Sequence, residues 1–249
     1  MECDDLFWYF ERFFAAIPFL YDASGRIMNG TDRSRDGRGK GGGEAMEICP
    51  IDRARQMLVV ETPDYASVRA TLSMWEAAAG GWRREARVPA AIGRGGLTLL
   101  KREGDGRTPA GRFRMGTGFG APPAPGGSWP YRVVDAHDYW IDDPQSDDYN
   151  TWVRYAGDPA ARWKSFERLA IPPYRKAAVI RYNDEPIVKG RGSAIFFHVW
   201  SGPDAGSAGC VTAAEEHVVG VLEWMRPEAE PVMAIGTRQE LVRLAPFAL

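Results

Sequence analysis

Apolar residues in this chain fall mostly in short runs bounded by turn formers. Met57-Leu58-Val59-Val60-Glu61 is the first such run, and its β-branched pair predicts a strand. Further strands are predicted over residues 87–92, 97–101, 131–134, 177–182, 193–200 and 231–236, with Gly, Pro, Asn and Asp at their flanks. Two stretches carry helical spacing instead. After Thr62-Pro63, read as N-cap and first helical residue, Val68, Leu72, Trp75 and Ala79 keep that period until Gly80-Gly81 stops it. Thr212-Ala213-Ala214-Glu215 then reads as a capping box. Val218, Leu222 and Met225 follow on one face, and Pro227 ends a helix predicted over 213–226. So few helices among so many strands favour a mostly β fold with a few helices over a wound βαβ sheet.

The N-terminal fifth breaks this pattern. Residues 1–21 form an apolar, aromatic segment interrupted by Glu11 and Arg12, and Glu2, Asp4 and Asp5 precede it where a signal peptide would be basic. It is too short to span a membrane and reads as an interfacial or packing helix, a degraded targeting segment or sequence upstream of the true start. Membrane association of this segment stays open. Residues 22–55 read as a Gly/Arg-rich linker, since residues 31–43 hold no apolar side chain. The ordered domain is assigned to 56–249.

Composition narrows the partners. An apolar share of 45% supports a sizeable core, and a formal net charge of -2 supplies no field for nucleic acid. The chain is read as a monomer. Its cysteines are Cys3, Cys49 and Cys210, without CxxC or HExxH spacing, so neither a metal site nor a cofactor is expected. Whether Cys3 and Cys49 pair is not legible.

Chemistry concentrates at Ser207-Ala208-Gly209-Cys210-Val211-Thr212, downstream of the apolar run that ends near His198. A thiol and an imidazole suffice for covalent acyl transfer: the thiolate attacks and the imidazole carries its proton. Gly209 permits a tight turn, and the helix predicted after Thr212 would place Cys210 where a helix dipole lowers a thiol's pKa. The bland readings are a satisfied core histidine and a small buried hydrophobe. His198 is expected on one strand face with Ala194, Phe196 and Trp200.

The order of motifs over residues 56–238 resembles the L,D-transpeptidase (YkuD-type) catalytic domain. Gly95-Gly96-Leu97 and Lys101 to Phe113, with Gly104-Asp105-Gly106-Arg107-Thr108-Pro109 inside it, are similar to its upstream signature. Tyr182-Asn183 and residues 192–198 match one bacterial branch, and His198 with Ser207-Ala208-Gly209-Cys210 matches its closing motif. Ala208 stands where the commonest motif has a second histidine, and Thr212 where an arginine often follows; both mark a branch with an Ala-Gly-Cys turn. The resemblance implies a β-sandwich or barrel acting on peptidoglycan stem peptides in the periplasm or cell envelope. It implies Cys210 as nucleophile, His198 as base, the turn Ser207, Ala208, Gly209 as oxyanion region, and a backbone carbonyl orienting the imidazole. Arg107, Arg112 and Tyr182 are substrate-binding candidates, with turn-forming or surface ion-pair roles equally open to the arginines and a core-edge role the commoner one for Tyr182. Glu103 and Asp105 share those two readings. His137 and His217 have no partner motif, and Asp138 to Asp148 reads as a solvated loop.

Three functions compete at this point. A transpeptidase passes the acyl group to an amine; a cysteine carboxypeptidase or amidohydrolase passes it to water; an inactive wall-binding module keeps only the fold. Retention of both Cys210 and His198 argues against the third. A papain-like protease places its cysteine before its histidine, the reverse of the order here.

Overall fold

The structure, a computed structural model, describes residues 47–49 and 53–248. In chain order the strands are β1 (Glu47–Ile48), β2 (Gln56–Thr62), β3 (Arg69–Ala78), β4 (Gly81–Ala91), β5 (Leu97–Thr98), β6 (Thr108–Pro109), β7 (Gly111–Gly120), β8 (Tyr131–Val133), β9 (Asp138–Ile141), β10 (Thr151–Arg154), β11 (Glu167–Arg168), β12 (Lys176–Ile180), β13 (Phe196–Val199), β14 (Val211–Ala213) and β15 (Val232–Thr237). Helix α1 (Glu215–Trp224) follows β14, and α2 (Arg238–Leu244) follows β15.

The main sheet runs β7-β12-β13-β14-β4-β3-β2-β15, and β15 pairs again with β7. It therefore closes on itself as a barrel, which leaves no open edge in that circuit. The mostly β, sandwich-or-barrel expectation is the observed fold. Inward positions of every wall supply one core, including Leu58, Leu72, Phe113, Ile180, Phe197, Val211 and Ile235, with Val218 and Leu222 of α1 packed into it. Each such side chain fully removed from water contributes about 1.5–3 kcal/mol.

A second layer covers the outer face of β12 and β13. The small sheet β10-β9-β11 sends Trp140 against Phe196, and Phe119, Val179, Tyr174 and Leu169 complete that cluster. Cys210 belongs to this second cluster. Burial on both faces explains the unbroken apolar run at 194–197.

Several expectations need correction. The stretch with helical spacing after Pro63 is strand β3, paired along its length with β2 and β4. Both of its faces are covered: Leu72 points into the barrel, while Trp75 packs outside against Met57 and Phe247. Apolar residues on opposite faces of a two-sided strand mimic an i, i+3 step. Thr212 is not a helix cap, because it lies in β14; the N-cap of α1 is Ala214, without a side-chain bond. The acidic stretch from Asp138 is no solvated loop either. Asp138 is buried at the head of β9 and bonds to Arg132, Arg154 and Trp152.

Strand structure reaches upstream of residue 56, since β1 pairs in parallel with β7. The segment 1–21, residues 22–46 and 50–52 of the expected linker, and Cys3 lie outside the described residues. No helix among the described residues is long and apolar enough to cross a membrane.

Candidate active site

Strands β13 and β14 run parallel, with His198 opposite Thr212 and Phe197 opposite Val211. Side chains alternate along a strand, so Phe197 and Val211 enter the barrel while Phe196 and His198 face the second layer. Cys210, one residue before β14, takes the same outer side beside Phe196. The thiol and the imidazole thus share a face, one pleat repeat apart. In this resting arrangement each is bonded to backbone. The Cys210 thiol donates to the Ala194 carbonyl and accepts from the Phe196 N–H, both at 3.3 Å. Nδ1 of His198 lies 2.9 Å from the Val199 carbonyl, and the Pro173 carbonyl is a second partner of the ring.

The turn before Cys210 is held from a distant part of the chain. Gly93 bridges Ser207; the Arg94 N–H donates to the Ser207 carbonyl at 2.8 Å and the Ser207 N–H to the Ile92 carbonyl at 3.1 Å. Thr108 accepts from the Gly93 N–H and donates to the Gly209 carbonyl, each at 2.8 Å. Ser207 Oγ closes the turn by accepting from the Gly209 N–H at 3.0 Å and donating to the Cys210 carbonyl at 2.6 Å. Gly209 has φ +146°, and a Cβ there would stand 2.9 Å from the Arg107 carbonyl. Both facts exclude a side chain. Gly209→Ala is accordingly expected to lower stability by about 2 kcal/mol or more, read as a melting-temperature loss of roughly 4–8 °C. An unchanged melt would show that the turn relaxes freely.

Burial governs the electrostatics. It pushes the Cys210 thiol well above its ordinary range; the Glu167 charge adds to the rise, while the Phe196 N–H and Lys101 act against it. The helix-dipole expectation of a lowered thiol therefore fails, because a strand, not a helix, follows the cysteine and an apolar cluster surrounds it. Burial also lowers His198 from 6.5 to about 4, against the pull of the Val199 and Pro173 carbonyls. At neutral pH the pair is a neutral thiol and a neutral imidazole. For stability, the unfolded chain takes up the His198 proton first. The fold thus keeps this contribution above about 6.5 and loses it as pH falls toward about 4.

These features have counterparts among known proteins. A family model described as the L,D-transpeptidase catalytic domain, YkuD, matches residues 63–234. The chain belongs to that family. No curated protein matches it. Among solved structures it is similar to Bd1075 of Bdellovibrio bacteriovorus, at 12% identity and a TM-score of 0.40, over 82% of this chain and 59% of that one. The chain thus spans less than two thirds of that relative.

Within this L,D-transpeptidase domain the other candidates separate. Ser207, Ala208 and Gly209 form the turn that leads into Cys210, with Ala208 exposed on it. Arg107 is exposed, and its carbonyl abuts Gly209. Arg112 is buried, with Nε and Nη1 each 2.8 Å from the carbonyls of Cys49 and Leu244. Tyr182 is also buried, its hydroxyl donating to the Arg191 carbonyl at 2.6 Å and its ring edge-on to Phe113. Both tie the barrel together. Asp105 is held by Lys101 at 2.5 Å and by the Arg102 and Arg107 N–H groups; Glu103 accepts from Tyr149 and Ser193. His137 is exposed beside Asp135, and His217 lies in α1. Among the described residues no cluster could hold a metal ion.

Sequence reasoning passed over Lys101, Asn150, Glu167 and Tyr174 as site neighbours. Only Lys101 sits in a quoted motif. Its side chain is 4% exposed, and its Cε lies 3.5 Å from where a Gly209 Cβ would be. The others reach the site through pairing of elements remote in sequence and leave no local signal.

Proposed function

We propose that this chain is a peptidoglycan L,D-transpeptidase that carries the stem peptide on Cys210 and delivers it to an amine acceptor. The observation that carries this reading is the placement of Cys210 and His198 on one face of adjacent parallel strands, inside a domain of that family. The thiol gives its proton to the neutral His198 imidazole as sulfur attacks the carbonyl of the stem's terminal peptide bond. A tetrahedral oxyanion forms, and the C–N bond breaks to leave a thioester. The departing D-residue's amine takes the proton back from His198. An amine acceptor then attacks the thioester, loses a proton to His198 and regenerates the thiol.

Geometry shapes two details of this reading. Ser207 occupies the Gly209 N–H, so the oxyanion falls to the Cys210 N–H at the head of β14. The thiol must also exchange its Ala194 carbonyl bond for the imidazole before it can attack. A neutral pair fits general-base catalysis rather than a preformed ion pair. Peptidoglycan lies outside the cytoplasm, so the reaction belongs to the cell envelope, and Arg107, exposed beside the turn, is the substrate-facing candidate retained.

The test is incubation with tetrapeptide-stem muropeptides, with and without an amine acceptor, followed by mass spectrometry. The expected result is an acyl adduct on Cys210 and a transfer product that rises with acceptor. Release of tripeptide alone at abundant acceptor would make the enzyme a hydrolase, and absence of any adduct or turnover would remove the enzymatic reading.

A further inference from the structure

The imidazole of His198 is held by a short segment on which the mechanism above does not draw. The 3-10 turn Pro172–Tyr174 supplies two contacts: the Pro173 carbonyl is a partner of the ring, and the Tyr174 ring stands edge-on to it, with centroids 4.9 Å apart. Tyr174 is buried in the cluster that contains Cys210, and its ring also meets Phe196 at 5.4 Å. Its hydroxyl donates to the Glu167 carboxylate on β11. That bond anchors the Glu167 carboxylate to a ring of the cluster that holds Cys210, and its charge opposes thiolate formation there. One carboxyl therefore bears on both members of the pair, on the imidazole through the Tyr174 ring and on the sulfur through its charge.

We propose that Glu167, acting through Tyr174, is the positioning residue of the His198–Cys210 pair: it pins the tyrosine ring against the imidazole, and its charge state sets how readily the thiol ionises. The inference rests on the reading of Cys210 as nucleophile and His198 as base. An apolar residue at 167 would leave the buried Tyr174 hydroxyl without its acceptor. A carboxyl there does more than accept a bond, because it can change charge. Burial raises Glu167 to about 7, the Tyr174 bond acts against that rise, and the charges of Asp142 and Glu103 add to it. Below about 7 the carboxyl is neutral and the thiol is relieved of its field; above, the anion resists the thiolate. Lys101, packed against the cysteine turn, acts on the sulfur with the opposite sign. Asp142, Glu103, Tyr174, Cys210 and Lys101 are the charged and titratable neighbours through which this balance is set.

Two variants of the full chain separate positioning from mere packing. Glu167→Gln keeps a carbonyl acceptor for Tyr174 and removes the charge; Tyr174→Phe keeps the ring and removes the pin. The first readout is the rate of Cys210 alkylation by iodoacetamide against pH, with peptide mapping to exclude Cys3 and Cys49. The second is kcat and KM on tetrapeptide stems. Glu167→Gln is expected to speed alkylation at pH 8 by roughly 3–10-fold. Tyr174→Phe is expected to cut kcat about 10-fold with KM within about twofold. Should Glu167→Gln fold poorly, Glu167→Asp keeps the charge and shortens the reach; a near wild-type alkylation rate at pH 8 with lowered kcat is then expected. Superimposable alkylation profiles together with unchanged kcat in Tyr174→Phe would overturn the proposal. Alkylation needs no wall substrate. A protein inert toward stems that still shows the faster alkylation loses the proposed function and keeps this coupling, whereas normal turnover with neither readout moved removes the coupling alone.

Discussion

Cys210→Ala is expected to abolish the acyl adduct and to reduce turnover of tetrapeptide stems by about 10⁴-fold or more, while the barrel melts as before. The magnitude follows from the chemistry. Without sulfur there is no thioester, and water would have to attack a peptide bond directly, helped only by whatever oxyanion donor and binding contacts remain. The fold is expected to tolerate the change because, among the described residues, the sulfur's hydrogen bonds are two weak ones at 3.3 Å, to Ala194 and Phe196, and alanine still fits the apolar cluster. His198→Ala is expected to fall less far, by roughly 10²–10⁴-fold, since hydroxide or buffer at high pH can take the proton from the thiol. Its residual rate should climb with pH more steeply than that of the wild type. Turnover of stems by Cys210→Ala at even a tenth of the wild-type rate would place the nucleophile elsewhere.

A second large effect is expected in stability. Asn150 is buried at the back of the site, with φ +56°. Its Oδ1 accepts from the Trp140 indole at 2.9 Å and from the Ala194 N–H at 3.2 Å, while Nδ2 donates to the carbonyls of Tyr182 and Asn183 at 3.1 and 2.8 Å. Asn150→Ala strands all four partners. An unpaired buried polar group costs about 1–3 kcal/mol, and water entering the vacated space recovers part of the sum, so a loss of about 3–5 kcal/mol is expected. That corresponds to a drop in melting temperature of roughly 6–20 °C. The same change frees Ala194, itself at φ +52°, whose carbonyl takes the thiol hydrogen. Urea melts check the first effect. A loss below about 1 kcal/mol would mean that water replaces the amide without strain, and the network would then carry little of the stability.

The barrel was legible because its walls are short β-rich runs with turn residues between them, and most predicted strands lie where the structure has them. β3 was not, since Leu72 and Trp75 serve different cores and their spacing imitates a helix. The helix after Cys210 was found, yet three residues of strand intervene before it. That small offset reverses the argument about the thiol, whose environment is set by Phe196, Tyr174 and Glu167 rather than by a dipole. The proposed nucleophile and base form a readable motif. Their neighbours do not, for Glu167 and Tyr174 come from the second layer, and nothing in Pro172-Pro173-Tyr174 announces a contact with a histidine 24 positions further on.

The clasp between Thr108 and the Gly209 carbonyl spans 101 residues of sequence. Contacts of such separation form late, after the loop-closure entropy of the intervening chain has been overcome. During synthesis the first half of that clasp must wait for most of the chain to emerge. A nascent or partly folded chain thus exposes Cys210 as an ordinary cysteine, open to oxidation. Completion of the barrel buries that thiol in the apolar cluster beside Phe196.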